Sequence, residues 1–323
     1  MPASRRRTLR VAVGALAAPL LPGLASAFDY PTRPVHLMVG FAPGLAPDIV
    51  ARLVAKSLTE RLGQNFVVDD RPGAGSNIAA DAVVHAPADG YTLLYVTLGN
   101  AINASFYQHL DFDITQDIAA IAGTVRSPSV LVVSPSVPAQ TLPEFIAYAK
   151  ANPGKINFAS GGVGTAPHLA GELFKQMAGV DLVHVPYTSS YMPDLLAGRV
   201  QVTFAPIATS LANVKAGKLR ALAVTGTTRS DILPDVPPVA EFVKGYEASV
   251  WHGVGAPKGT AADIVNKLSR DIGAVIADPA VKAQLAGLGA EPMPMTPGEF
   301  GKFIAEEVKK WANVVKLAGL KPV

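Results

Sequence analysis

The sequence predicts an α/β protein of two domains with a closable cleft between them, and three observations support this. Strand-like and helix-like runs alternate along the chain, the pattern of a mostly parallel sheet covered by helices on both faces. Two strand-to-helix junctions far apart in the sequence are rich in glycine. Of the 323 residues, 49% are apolar, so the chain can bury a core large enough to divide in two.

The chain opens on a leader. Arg5, Arg6, Arg7 and Arg10 form a basic segment, residues 11–24 are apolar, and Ala25-Ser26-Ala27 is a small-x-small cleavage site. Residues 1–27 are therefore expected to be a secretory signal peptide cut after Ala27. Ser4 to Leu9 also loosely match a twin-arginine signal. Next, residues 35–39 read as a buried strand, the turn Gly40-Phe41-Ala42-Pro43-Gly44-Leu45-Ala46-Pro47-Asp48 follows, and Ile49, Leu53 and Val54 have helical spacing. Residues 66–68 are a short strand, 70–75 a loop, 77–85 a helix, and 92–97 a strand that ends in a turn over 98–103. In such sheets ligands sit at the carboxyl ends of the strands, so the 40–48 and 98–103 turns should share a rim.

Residues 130–133 form a strand, and Thr141-Leu142-Pro143-Glu144 has the spacing of a capping box. Residues 156–158 lead as a strand into the second glycine turn, Ser160-Gly161-Gly162-Val163-Gly164-Thr165-Ala166-Pro167-His168, whose helix carries Leu169, Leu173 and Met177. Strands follow at 183–185, 200–204 and 219–224. In the tail, Thr260 should cap a helix with Ile264, Leu268 and Ile272. Thr296 and Glu299 should box another, whose stripe from Phe300 to Val315 makes Trp311 a core residue. The tail is expected to pack back on the first domain. The division is thus 28–126 plus 250–323 for domain 1 and 127–249 for domain 2, with two chain crossings acting as a hinge.

Charge and residue types exclude several functions. Losing the four leader arginines turns the formal charge from +3 to −1, and no Lys/Arg run remains to track a phosphate backbone, so no nucleic-acid partner is expected. There is no cysteine, hence no disulfide, thiolate metal site or cysteine nucleophile. The six histidines, at 36, 85, 109, 168, 184 and 252, are dispersed, with no metal-ligand spacing. Gly161, Gly162 and Gly164 do not make a dinucleotide fingerprint, and no Walker lysine follows. Neither a metal nor a cofactor is expected. Ser160 and His168 share one loop–helix unit, but there is no Gly-x-Ser-x-Gly elbow, so a hydrolase is the weaker reading. Both glycine turns lack Lys and Arg. An anion there would rely on backbone N–H groups, helix ends and the Ser160 and Thr165 hydroxyls. Asp48 is either a dipole-stabilised acid in the first helical turn or a partner for a polar group on the solute.

Taken together, the segments resemble the substrate-binding receptors of tripartite tricarboxylate transporters, the Bug receptor family. The resemblance rests on Tyr30-Pro31-Thr32-Arg33-Pro34, Phe41-Ala42-Pro43-Gly44 with Asp48 to Arg52, Arg71-Pro72-Gly73-Ala74-Gly75 and Asp89-Gly90-Tyr91-Thr92-Leu93-Leu94. It continues through Ala101-Ile102-Asn103, Ser160-Gly161 with Gly164-Thr165 and His168-Leu169-Ala170, Val185-Pro186-Tyr187, Gly217 to Thr225, and Leu233 to Pro237. It implies a periplasmic "Venus flytrap" fold and a non-enzymatic receptor, expected as a monomer, that delivers a small organic carboxylate to membrane permease subunits. By this resemblance, ligand contacts would fall on Phe41, Ala42, Pro43, Gly44 and Asp48; on Leu98, Asn100 and Ala101; on Ser160, Gly161, Thr165 and His168; and on Tyr187 and Ala205.

The chain departs from the family pattern at Leu45-Ala46-Pro47, at Asn100, in the segment from Thr188 to Pro193, and at Ala205. Leu45 and Ala205 are expected to make the pocket more apolar, and Tyr191 and Met192 to add polarizable surface. The expected solute then has one carboxylate and an apolar or aromatic body. A sensor subunit presenting its solute to a two-component kinase is the alternative that the sequence leaves open.

Overall fold

The protein is described by a computed structural model covering residues 29–321. The signal peptide and its cleavage site lie outside the described residues. No helix among the described residues is long and apolar enough to cross a membrane.

The chain first builds β1 (Val35–Val39), α1 (Ala46–Leu62), β2 (Phe66–Asp70), α2 (Asn77–Val84), β3 (Thr92–Thr97), α3 (Leu98–Phe106) and β4 (Ile118–Ser127). It then builds β5 (Ser129–Val133), α4 (Leu142–Ala151), β6 (Ile156–Ser160), α5 (Ala166–Ala178), β7 (Leu182–Pro186), α6 (Met192–Leu196), β8 (Val202–Pro206), α7 (Ile207–Lys215) and β9 (Arg220–Val224). It closes with β10 (Val250–Pro257), α8 (Ala262–Ala277), α9 (Pro279–Gly287), β11 (Glu291–Met295) and α10 (Pro297–Leu317). One sheet has the order β11-β4-β10-β3-β1-β2 and the other β7-β6-β8-β5-β9. The chain therefore passes between sheets twice, at Pro128 and again between Val224 and Val250.

Those passages explain why the sheets are mixed rather than mostly parallel. β1, β3 and β6 end at the turns of interest, so their carboxyl ends face one region. A strand that continues a crossing starts there instead and must run the other way. Accordingly β5 is antiparallel to β8 and β9, and β10 is antiparallel to β3 and β4.

Burial follows the apolar patterning, with instructive exceptions. Trp311 is buried as expected, on an α10 that packs against α3 and β4. Its indole N–H and that of Trp251 both donate to Oε2 of buried Glu307, at 2.9 and 2.7 Å. Thr296 and Glu299 form the expected reciprocal capping box. Thr141 accepts from the Glu144 N–H, but the Glu144 carboxylate turns to Gln140 N–H, so that box is half made. Thr260 does not cap: Ala261 is the N-cap of α8, and the Thr260 hydroxyl donates to the Pro257 carbonyl. Ile49 and Met177, expected on buried stripes, are 40% and 38% exposed. In α1 the neighbouring Asp48 turns inward instead, and in α5 Phe174 and Ala178 take the buried side near the helix end.

Candidate functional site

The site begins where β1 ends. Gly40 lies against Ser76 so closely that a Cβ there would meet the Ser76 hydroxyl at 2.0 Å, which only glycine permits. The chain then turns through Gly44, at φ +83°, into α1. The N-cap of α1 is Leu45, which has no side chain able to accept from the first N–H groups. In the other sheet, β6 ends at Ser160, and Gly162 and Gly164 adopt φ of +125° and +79° before α5. Thr165 is the N-cap of α5, yet its hydroxyl donates to the Gly162 carbonyl at 2.7 Å and does not cap the helix. Both helices therefore present amino ends that no side chain satisfies.

The expected turn over 98–103 is instead the start of α3. Asn100 Oδ1 accepts from the Thr97 N–H at 2.9 Å and from the Thr97 hydroxyl at 3.2 Å, which fixes this helix start. Its amino end and those of α1 and α5 line one cavity of about 350 Å³. Phe41 and Pro47 come from the first turn, Thr97, Leu98, Gly99, Ile102 and Asn103 from around α3, and Gly164, Thr165 and Ala166 from the second turn. Gly75 and the return-strand residues Val250 and His252 complete it. Thr165 also lines a second cavity of about 580 Å³, formed with Gly161, Pro167, Tyr191, Met192, Pro206 and their neighbours. No Asp, Glu, Lys or Arg lines either cavity. A separate groove of about 550 Å³ between α1, α8 and α9 is lined by Lys56, Glu60, Arg61 and Asp278. The helix end there is already satisfied, since Asp278 accepts from the Ala280 and Val281 N–H groups.

Behind the second turn lies a hydrogen-bonded brace of two histidines. The His168 and His184 rings stack with centroids 3.7 Å apart. His168 Nδ1 accepts from the Gly164 N–H at 3.0 Å. His184 Nε2 lies 2.6 Å from the Ser160 hydroxyl oxygen, which in turn accepts from the Gly162 N–H at 3.1 Å. Burial, then the neighbouring His184 and Lys175, lower the His168 pKa to about 3; burial and Lys175 lower that of His184 to about 4. Both imidazoles are thus neutral at pH 7 and hold the turn by hydrogen bonds. The serine's imidazole partner is His184, not His168, and Ser160 is fully buried, so the pair has no open nucleophile. Among the described residues no group of three His, Asp or Glu side chains converges as a metal site.

The other expected contacts fall in distinct places. Phe41, Leu98 and Thr165 line the first cavity, and Gly161 the second. Ala42, Pro43 and Gly44 are exposed beside them. Asp48 is buried, accepting from Gly44 N–H at 2.7 Å and pairing with Arg52, which also pairs with Asp70. Burial and the Asp48 charge raise the Asp70 pKa. Asn100, Ala101 and Ala205 are buried and line neither cavity. Tyr187 donates to Asp194 at 2.8 Å and also lies outside both linings. Leu45 is 50% exposed and, like Ala205, does not line the cavities, so neither supplies the apolar wall expected of it. That wall is made by Phe41, Leu98, Ile102, Val250 and Ala166. Val250 and His252 were not expected, because nothing local in the sequence marks a return strand as a cleft floor.

A family model described as "Tripartite tricarboxylate transporter family receptor" matches residues 50–320. Protein BugT of Bordetella pertussis is 37% identical over 318 residues, covering 96% of this chain and 95% of that protein. Among solved structures, Rpa4515 of R. palustris with adipate has a TM-score of 0.74 at 37% identity, covering 91% of this chain and all of the other. The periplasmic binding protein BugD has a TM-score of 0.70 at 34% identity, covering 90% and 99%.

Proposed function

This chain belongs to the tripartite tricarboxylate transporter family of periplasmic solute-binding receptors, and we propose that its solute is a small carboxylate held between α3 and α5. The observation that carries this reading is the convergence of three helix amino ends on a 350 Å³ cavity lined by no charged side chain. Each helix end favours an anion by on the order of 0.3–1 kcal/mol, up to ~2 when partly buried. One carboxylate is matched by these dipoles and N–H groups. The rest of the solute meets Phe41, Leu98, Ile102 and Val250, and beyond Thr165 it meets Tyr191 and Met192. Such surroundings suit a solute with an apolar or aromatic body better than a compact, multiply charged one. Adipate, found with Rpa4515, shares the apolar methylene body but carries a second carboxylate, for which neither lining offers a charged partner.

In this reading residues 28–126 with 250–323 form one lobe and 127–249 the other, and they close on the solute about the two chain passages. The receptor acts as a monomer and delivers its solute to membrane permease subunits. The test is a thermal-shift screen with citrate, succinate, adipate, aspartate, glutamate, nicotinate, benzoate and terephthalate. A ligand at about 100 times its Kd stabilises the fold by ~2.7 kcal/mol. Shifts with adipate or the aromatic acids support the apolar-bodied solute. Shifts with citrate or aspartate alone refute it while keeping the receptor. No shift at all, with native mass spectrometry showing an empty protein, removes these acids as solutes.

A further inference from the structure

We propose that His252 is a specificity-determining contact, donating a hydrogen bond from Nε2–H to the solute's carboxylate at the cleft floor; this rests on the cavity being the solute site. His252 stands at the start of β10, where it pairs with Thr97, the residue just before the amino end of α3. It lines the cavity while being only 4% exposed. Its backbone carbonyl accepts from Thr124, and its ring lies against Tyr95 at 5.3 Å between centroids, so the side chain is held in place from behind.

The ring's polar atoms, by contrast, are unspent. Nδ1 is sealed from the surface with no hydrogen-bond partner, whereas Nε2 is not among the sealed, unpaired atoms. Unpaired buried nitrogens are costly, and native proteins keep few of them. Nε2 is the nitrogen left to reach the cavity that the ring lines. Burial alone lowers the His252 pKa to about 4, so the ring is a neutral donor at pH 7. A neutral donor beside a helix amino end meets a carboxylate without adding a fixed charge. It also discriminates: an uncharged analogue lacking the acceptor leaves the donor unpaired.

The experiment is calorimetric titration of adipate and of benzoate into the wild-type protein, His252→Phe and His252→Gln. Phenylalanine keeps the ring against Tyr95 and removes both nitrogens; the glutamine amide nitrogen reaches where Nε2 stands. Hydrogen bonds to charged groups are strong enough that His252→Phe should weaken binding roughly tenfold to a hundredfold. His252→Gln should stay within about threefold of wild type. The ligand-free His252→Phe protein should melt at or above the wild-type temperature, because it loses the buried unpaired Nδ1. Equal affinity of His252→Phe and wild type would overturn the inference and leave the receptor reading standing. Weakened binding in both variants with lowered melting temperatures would assign His252 a structural role and overturn it too. Failure of the wild type to bind either acid would remove both readings for these solutes.

Discussion

Acidification from pH 7 to pH 5 should destabilise this protein through its buried histidines. His168, His184 and His252 have folded-state pKa values of about 3, 4 and 4, against 6.5 unperturbed. Below pH 6.5 the unfolded chain therefore binds protons that the folded chain refuses. Stability is full above pH 6.5 and falls as pH drops towards these folded values. At 1.36 kcal/mol per pH unit, each histidine withdraws about 2 kcal/mol by pH 5. Three give a ceiling of about 6 kcal/mol, and screening at the half-buried His184 brings the expected loss nearer 4. Asp70, whose pKa is raised by burial and by Asp48, works in the opposite sense. Asp194 and Glu299, whose pKa values are lowered, lose their contribution only below the window. Urea unfolding followed by the fluorescence of Trp251 and Trp311, at half-unit steps from pH 7 to 5, measures the drop. His252→Phe should remove about half of it. A flat profile between pH 7 and 5 would refute the reasoning.

Two further perturbations separate the structural charges from the cleft. Arg52→Gln leaves the Asp48 and Asp70 carboxylates facing one another, 3% and 10% exposed at their side chains, without their shared cation. With Arg52 itself half exposed, the expected loss is about 2–3 kcal/mol at pH 7 and becomes smaller as acidification protonates Asp70, whose pKa is raised, as urea titrations at pH 7 and in acid would show. Glu307→Ala leaves two buried indole N–H groups unpaired and removes one of the two carboxylates beside Lys310, Glu247 being the other. It should cost about 3–5 kcal/mol and alter the intrinsic fluorescence, while Glu307→Gln, which keeps an acceptor oxygen, should cost less.

What the sequence disclosed was local. Both glycine turns were legible because Gly44, Gly162 and Gly164 occupy left-handed conformations that leave a composition signal. The α10 stripe and its Thr296–Glu299 box were legible because helical apolar spacing and a Thr-x-x-Glu cap also leave a sequence signal. The start of α3 was not: Leu98-Gly99-Asn100 reads as a turn, and it is helical because Thr97 and Asn100 cap each other and Ala101 and Ile102 are buried. The Ser160–His184 contact was hidden because it depends on β6 and β7 pairing in parallel, with Phe158 opposite His184. The direction of β5 and β10 was hidden too, since it follows from the chain passing between sheets. Leu45 and Ala205 misled because a substitution near a motif does not say which way its side chain faces. His252 carried no local signal at all.

The solute is expected to occupy the cavity between α3 and α5. Ala166, the first residue of α5, lines that cavity and takes part in no side-chain hydrogen bond, so Ala166→Trp fills the space while keeping the helix. Calorimetry with the best acid from the thermal screen should show one bound solute per wild-type chain and no binding to Ala166→Trp, with the two circular dichroism spectra alike. Undiminished binding by a folded Ala166→Trp protein would contradict the account.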